Sequence, residues 1–333
     1  MKLTNTNSYN KKRWLTGVPA GVLAAILLLP LSVLMQSCFT GIESTPTITY
    51  KDVRKQDVGV TPEQEFAGQF RAVPFSRWSP GRKFFLADSK ALVTYSAPPG
   101  KVSQAVRGDT LVFRGVREVP AITGGSVAEL VFTLSNAPSD TLLYRPGGDS
   151  SSLNGREHLR LPFIVDLGLV GDASRILVGK DLVTRTDRWL STSGDSEVKG
   201  RKYLNVTVTD VEANDENYPF LVRFISREDD RQEGALLMST TVDEGMPALR
   251  EFDNLFLMSD PREDYPQISD TNWELIRRGK VAVGMTTGEA SLALGTPRDV
   301  DRRHNQSLMY ERWSYPGGVY LIFEDGLLVR FNQ

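Results

Sequence analysis

This chain has a single sulfur with which to brace itself covalently, that of Cys38, and it stands directly after one long apolar run. A lone thiol closes no internal disulfide, so packing must hold whatever fold forms. Ahead of the sulfur come Lys2, Lys11, Lys12 and Arg13, then an apolar stretch from Trp14 to Met35, then the small residue Ser37. A charged start, a greasy middle and a small residue at the processing point form the order of a bacterial secretory signal. The run of roughly 20 residues is also long enough to span a bilayer uncleaved, and Pro19 and Pro30 are compatible with that alternative. A buried core cysteine fits less well, because Thr40, Gly41, Glu43, Ser44, Thr45 and Pro46 follow it. Under either membrane reading the positive flank stays inside, and the bulk of the chain lies outside the cytoplasm.

Because the processing point abuts a cysteine, the stretch Leu34-Met35-Gln36-Ser37-Cys38 resembles a lipoprotein signal peptide. Gln36 is bulkier than the enteric pattern, and the match is better to the looser signals of Bacteroidetes-like bacteria. The resemblance implies that residues 1–37 are removed and that the thiol of Cys38 carries lipid. The protein is then expected in the cell envelope, anchored at the outer membrane and facing the periplasm, since no acidic run of the kind tied to surface export follows Cys38.

Of the 333 residues, 40% are hydrophobic and 24% charged, so a sizeable core can be buried in more than one compact unit. The formal net charge is -2, with acidic and basic residues interspersed, which leaves no electrostatic footprint for nucleic acid.

Residues 38–65 read as a tether, mixing Thr, Pro, Lys, Asp and Gln with few large apolar side chains. From Phe66 the pattern changes to short β-branched and aromatic runs bounded by turn formers: Lys83–Leu86, Thr110–Phe113, Leu130–Leu134, Thr141–Tyr144, Tyr203–Val208 and Phe220–Phe224. A mainly β region of small barrel or sandwich modules is predicted. Trp78-Ser79-Pro80-Gly81-Arg82-Lys83 opens one set of strands and Val178-Gly179-Lys180-Asp181-Leu182 another, and each passes a valine-rich strand, Leu111–Val116 or Val206–Val211. That similarity suggests a duplicated module, residues 66–150 and 151–264, with the cluster Gly147–Ser152 as linker.

Residues 265–333 read as an α+β domain. Ser269 and Asp270 offer N-cap oxygens before Trp273-Glu274-Leu275-Ile276-Arg277, with Gly279 as a stop. Thr286 and Glu289 have capping-box spacing before a second short helix, which Gly295 and Pro297 end. Three alternating stretches follow, Met309–Tyr315, Val319–Phe323 and Leu327–Phe331, separated by Pro316-Gly317-Gly318 and Glu324-Asp325-Gly326. Two short helices on a three-stranded antiparallel meander are therefore expected, covering an apolar face with Trp313, Leu321 and Phe323.

Ile276, Gly279, Val283-Gly284-Met285-Thr286, Glu289, Leu294-Gly295-Thr296-Pro297, Trp313-Ser314-Tyr315, Leu321-Ile322-Phe323 and Gly326-Leu327 together resemble the SmpA/OmlA (BamE-like) family, over roughly the last 65 residues. The resemblance implies an ααβββ fold, anchoring by lipid, and contacts with other envelope proteins instead of catalysis. The same two-layer fold serves secreted protein inhibitors of β-lactamase. Family members usually carry this domain close to the lipidated cysteine. Here a long intervening region separates the two, so no assignment to the outer-membrane assembly machine follows.

No catalytic constellation emerges from the residues. His158 and His304 are the only histidines, and His158 lacks the His-Glu-x-x-His spacing of a metal helix. Ser150 in Gly148-Asp149-Ser150, with Asp301 and His304 downstream, imitates a GDSL-type hydrolase, but it sits in a serine-rich loop and not after a buried strand. The His304 stretch reads better as the connection into the meander. Asp229-Asp230 and Glu263-Asp264 lack the alternating oxygens of a calcium loop, and Gly124-Gly125 and Gly317-Gly318 lack the setting of a phosphate loop. Trp78, Trp189, Trp273 and Trp313 are candidates for sugar contact, with core burial the commoner fate. The expectation is a non-catalytic protein-binding or scaffold module, with no cofactor, no metal and no nucleic acid, acting in outer-membrane assembly or maintenance. Its partners would be the membrane, through Cys38, and other envelope proteins. The alternative is a cell-wall or glycan hydrolase with dispersed carboxylates, which leave no local motif.

Overall fold

The computed structural model describes residues 60–122, 124–228, 231–240, 250–305 and 308–333. The predicted signal segment, Cys38, most of the tether and Asp229-Asp230 lie outside the described residues. From residue 59 to Gln333 the chain forms one compact unit, mainly β, in three antiparallel sheets.

The tether is shorter than the sequence suggested. Helix α1 (Pro62–Ala67) begins inside it, closed by a capping box in which Thr61 and Gln64 satisfy each other's backbone N–H groups. Its Phe66 and Ala67 are buried, as is Phe70 just beyond its end.

The first sheet runs β4-β3-β2-β1-β5, with β1 Lys83–Leu86, β2 Thr110–Pro120, β3 Ser126–Leu134, β4 Thr141–Tyr144 and β5 Ile164–Asp166. A helical turn, α2 (Ala91–Thr94), lies in the long β1–β2 connection. The expected linker at Gly147–Ser152 is a correction: Asp149 caps helix α3 (Ser150–Asn154), and Leu153 of that helix is fully buried in the first core. The chain then returns to add β5 beside β1, so this sheet extends past the boundary expected at residue 150. Serine and glycine there serve a cap, not a flexible spacer.

Helix α4 (Leu167–Leu177) leads from β5 into the second sheet, whose order is β12-β6-β9-β10-β11-β7-β8. Its strands are β6 Asp181–Thr184, β7 Arg188–Leu190, β8 Glu197–Lys199, β9 Asn205–Ala213, β10 Phe220–Ser226, β11 Glu233–Met238 and β12 Phe256–Leu257, the last following helix α5 (Phe252–Leu255). Strands β12-β6-β9-β10-β11 repeat the register of β5-β1-β2-β3-β4. Phe84 faces Leu111 where Leu182 faces Val206, and Phe113 faces Phe132 where Val208 faces Phe224. A bulge leaves Arg114 unpaired in one sheet and Thr209 in the other, each directly after those paired positions. Leu86 opposite Ile164 matches Thr184 opposite Phe256. Even the bond from a left-handed glycine recurs: Gly81 N donates to Phe113 O and Gly179 N to Val208 O, both at 2.8 Å.

Side chains follow the same pattern. Each β1–β2-type connection returns to the far edge of its own sheet, Ser96 bridging Leu143 and Leu190 pairing with Ala235. The residue before each bridge places a ring edge-on against the phenylalanine beneath it: Tyr95 on Phe132 at 6.0 Å, Trp189 on Phe224 at 5.0 Å. Where the first sheet puts Leu142 opposite Phe132, the second has Gly234 opposite Phe224. A Cβ at Gly234 would lie 3.1 Å from the Trp189 ring, so the larger indole requires the smaller neighbour.

After helix α6 (Pro261–Asp264), the C-terminal unit has helices α7 (Asp270–Arg277) and α8 (Thr287–Leu294) on a sheet of four strands, not three. These are β13 Asp299–Asn305, β14 Leu308–Ser314, β15 Tyr320–Glu324 and β16 Leu327–Asn332, in sequential order. The added strand is the stretch expected as the His304 connection: it pairs along its whole length with β14, its charged alternation suiting an exposed edge. Asp325 and Gly326 both take positive φ, as a two-residue hairpin between β15 and β16 requires. Ser269 and Thr286 cap the two helices through their side chains. Trp273, Ile276, Ala290 and Ala293 then meet Trp313, Leu321 and Phe323 in one core.

The three cores interlock. The pair Phe85 and Val165 on the outer face of the first sheet packs into the core of the second. The matching pair Val183 and Leu257 packs into the C-terminal core. Each of these two sheets thus uses the same outward position to hold the next core.

Candidate binding site

Beside the junction of the first two sheets lies a cavity of about 290 Å³. Its apolar wall includes Trp78, Phe84, Leu159, Leu161 and Ile164, with Leu169 from α4 behind them. Trp78 reaches this place because its Nε1 donates to Val73 O at 3.0 Å, while its ring lies 5.1 Å from Phe84 and 5.6 Å from Phe113. Arg82 holds its guanidinium 5.5 Å from the same ring and pairs through Nε and Nη2 with Asp166 Oδ2. The other oxygen of Asp166 caps α4 by accepting from Gly168 N at 2.9 Å. This acid therefore has both oxygens committed to structure. His158, Arg160, Glu216 and Thr240 supply the remaining polar lining, and Arg160 Nη2 donates to Glu216 O at 3.3 Å.

A second, more polar cleft of about 530 Å³ separates the second sheet from α8. Lys202 Nζ donates to Ala293 O at 2.6 Å and Tyr203 OH to Leu292 O at 3.1 Å, so two side chains of the second module satisfy carbonyls at the end of α8. Burial pushes the Lys202 pKa down against the opposing pull of Asp187, and burial pushes the Tyr203 phenol up. Both groups act as clamps between units.

Glycoside hydrolysis needs one carboxyl held protonated near neutral pH. Among the described residues, the carboxyl groups with displaced pKa values, Asp88, Glu118, Glu129, Asp149, Asp195, Glu212 and Glu289, are displaced downward. Glu129 is the most buried of them: burial pushes it up, but hydrogen bonds and charge from Arg117 and Arg145 hold it below the usual range. Glu289, raised by burial, is brought below its usual value by bonds from Thr286 and Asn272.

The residues singled out in the sequence are dispersed. Ser150 starts α3, its backbone N–H bound to Glu118 Oε1, while His304 faces Met309 in the third sheet. Glu263 and Asp264 close α6, and no group of three metal-ligating side chains occurs among the described residues. Trp189, Trp273 and Trp313 are buried, leaving Trp78 as the half-buried tryptophan of the body. Sequence reasoning did not mark the cavity, since Trp78, Phe84, Leu161 and Ile164 come from separate elements with no common spacing. Among the described residues no helix is long and apolar enough to cross a membrane. No protein-family model and no curated protein matches the chain.

Proposed function

We propose that this chain is a lipid-anchored cell-envelope protein whose body is a non-catalytic protein-binding module. Acyl chains on Cys38 moor it at the outer membrane facing the periplasm. At about 0.8 kcal/mol per buried methylene, two or more chains give lasting attachment where one would not. The short tether sets its reach. The body is two copies of one five-stranded module followed by a domain of the SmpA/OmlA kind, and it acts on other envelope proteins in outer-membrane assembly or maintenance.

The observation that carries the binding role is the cavity at Trp78: its wall is apolar and Asp166 is tied down by Arg82 and by its helix cap. Such a surface suits recognition better than proton transfer. The duplication is supported by the register shared through five strands and by the bulges after Phe113 and Val208. The family likeness is supported by the Thr286–Glu289 capping box, the stop at Gly295 and the Trp313–Phe323 ring contact of 4.8 Å beneath the helices. The fourth strand is a departure from that pattern.

Crosslinking in intact cells followed by mass spectrometry tests the role. Wild-type protein should give reproducible crosslinks from the body to envelope proteins, and these should fall sharply in Cys38→Ala. Wild type that crosslinks to no envelope protein while purified protein cleaves cell-wall glycan would replace this reading with the hydrolase.

A further inference from the structure

The second module departs from its repeat at one turn. Leu86 N donates to Asp109 O and Gly108 N to Leu86 O in the first module, and Thr184 N to Leu204 O and Tyr203 N to Thr184 O in the second. Lys202 and Tyr203 therefore stand where the first module has Arg107 and Gly108. Gly108 takes φ +100° and Tyr203 φ +54°, a region that suits glycine and strains a tyrosine. The strained residue is fixed by stacking on Trp273 at 5.5 Å and by its bond to Leu292 O. With Lys202 it walls the polar cleft against α8. Arg185, between β6 and β7, and Arg188, which opens β7, line the same cleft. These three cations and the carboxylate of Asp187 give the lining a net charge of +2, in a chain whose formal net charge is -2.

Among the described residues none of the three cations closes an ion pair. Arg185 Nη1 donates to Asp253 O at 2.7 Å, and Lys202 uses one of its three N–H groups on Ala293 O. Burial pushes the Lys202 pKa down, Asp187 opposes it, and Arg185 pushes it down further, so the cations crowd one another. We propose that this cleft is a phosphate-binding site, in which Arg185, Arg188 and Lys202 hold the oxygens of a phosphate or phosphomonoester. Such a group carries about -1.5 to -2 charge near neutral pH, which matches the lining, whereas one carboxylate would leave a cation uncompensated. Guanidinium and ammonium groups donate strong, charge-assisted hydrogen bonds to phosphate oxygens. Ser291 of α8 and Tyr265, directly after α6, add hydroxyl groups to the lining. The site is independent of the protein-binding role carried by the cavity at Trp78.

Isothermal titration calorimetry of the full-length protein in dodecyl maltoside, a detergent without phosphate, tests this. The probes are inorganic phosphate, glycerol phosphate, dihexanoyl phosphatidic acid and, as the carboxylate control, glucuronate. A phosphate probe should bind saturably, one per chain, and about tenfold or more tighter than glucuronate. The probe that binds tightest names the source as free phosphate, a small phosphomonoester or a lipid headgroup. Arg185→Gln and Arg188→Gln should each weaken that binding about tenfold or more. Ser291→Glu, which puts a charge that repels phosphate on the exposed face of α8, should do the same. Arg188 and Ser291 are exposed, so their variants decide the matter should Arg185→Gln fail to fold. Absence of saturable phosphate binding, an affinity unchanged by these substitutions, or glucuronate bound as tightly as phosphate overturns the proposal. Crosslinks from the body to envelope proteins would persist through such a failure, which keeps it distinct from failure of the protein-binding role.

Discussion

The ammonium of Lys180 stands 5.0 Å from the centre of the Phe66 ring, joining the first turn of the second module to a helix that precedes the first. Met258 N completes the attachment by donating to Glu63 Oε1 at 3.0 Å. Residues 62–70 therefore dock on the second sheet.

Phe66→Ala should remove this staple. Truncating a buried phenylalanine costs about 3 kcal/mol once the cavity left behind is included. Urea unfolding followed by circular dichroism should show that loss, whereas Lys180→Ala should cost under about 1 kcal/mol. An unchanged midpoint for Phe66→Ala would show that α1 contributes nothing to the core.

Glu129 supplies a pH dependence with a defined sign. Burial raises its pKa, but Arg117 and Arg145, donating at 2.6 Å and 2.8 Å, lower it further, so the folded value lies below the ordinary 4.5. The stability it contributes is fully present above the unfolded value and is lost as pH falls through the lowered folded one. Glu129→Gln should cost about 2 kcal/mol at pH 7, a modest figure because both arginines keep access to water. The gap from wild type should close on acidification below 4.5. Denaturation midpoints across that range measure it, and a gap independent of pH would contradict the assignment.

Gly200 lies against the face of Trp189, and a Cβ there would fall 2.1 Å from indole carbon Cδ2. Trp189 is wedged between this backbone and Phe224, with its Nε1 bound to Thr186 O, so it has little room to move. Gly200→Ala should cost about 2 kcal/mol or more through overpacking and shift the tryptophan emission. A neutral effect on both would mean that the indole is not held in this pocket.

Much of the fold was legible because its signals are local. The apolar runs at Lys83–Leu86 and Thr141–Tyr144 marked strands at their observed limits, and the caps at Ser269 and Thr286 marked both C-terminal helices. Strand β13 was missed because Asp299–Asn305 is charged on both faces: an edge strand buries little, so it shows no apolar period. Strands β5 and β12 are too short to show one, and their place is fixed only by long-range pairing with β1 and β6. Gly147–Ser152 misled for a related reason, since serine and glycine signal a loop in sequence and here surround a helix cap. The cavity could not be read at all, because it exists only once Trp78, Phe84, Leu161 and Ile164 converge from distant segments.

Anchoring through one sulfur is the central claim, and metabolic labelling with a palmitate analogue tests it most directly. Wild-type protein should take up label and sediment with membranes, while Cys38→Ala should be unlabelled and either remain unprocessed or leave the membrane fraction. Label retained by Cys38→Ala, or unlabelled wild-type protein whose mature N-terminus lies elsewhere and which stays soluble, would contradict it.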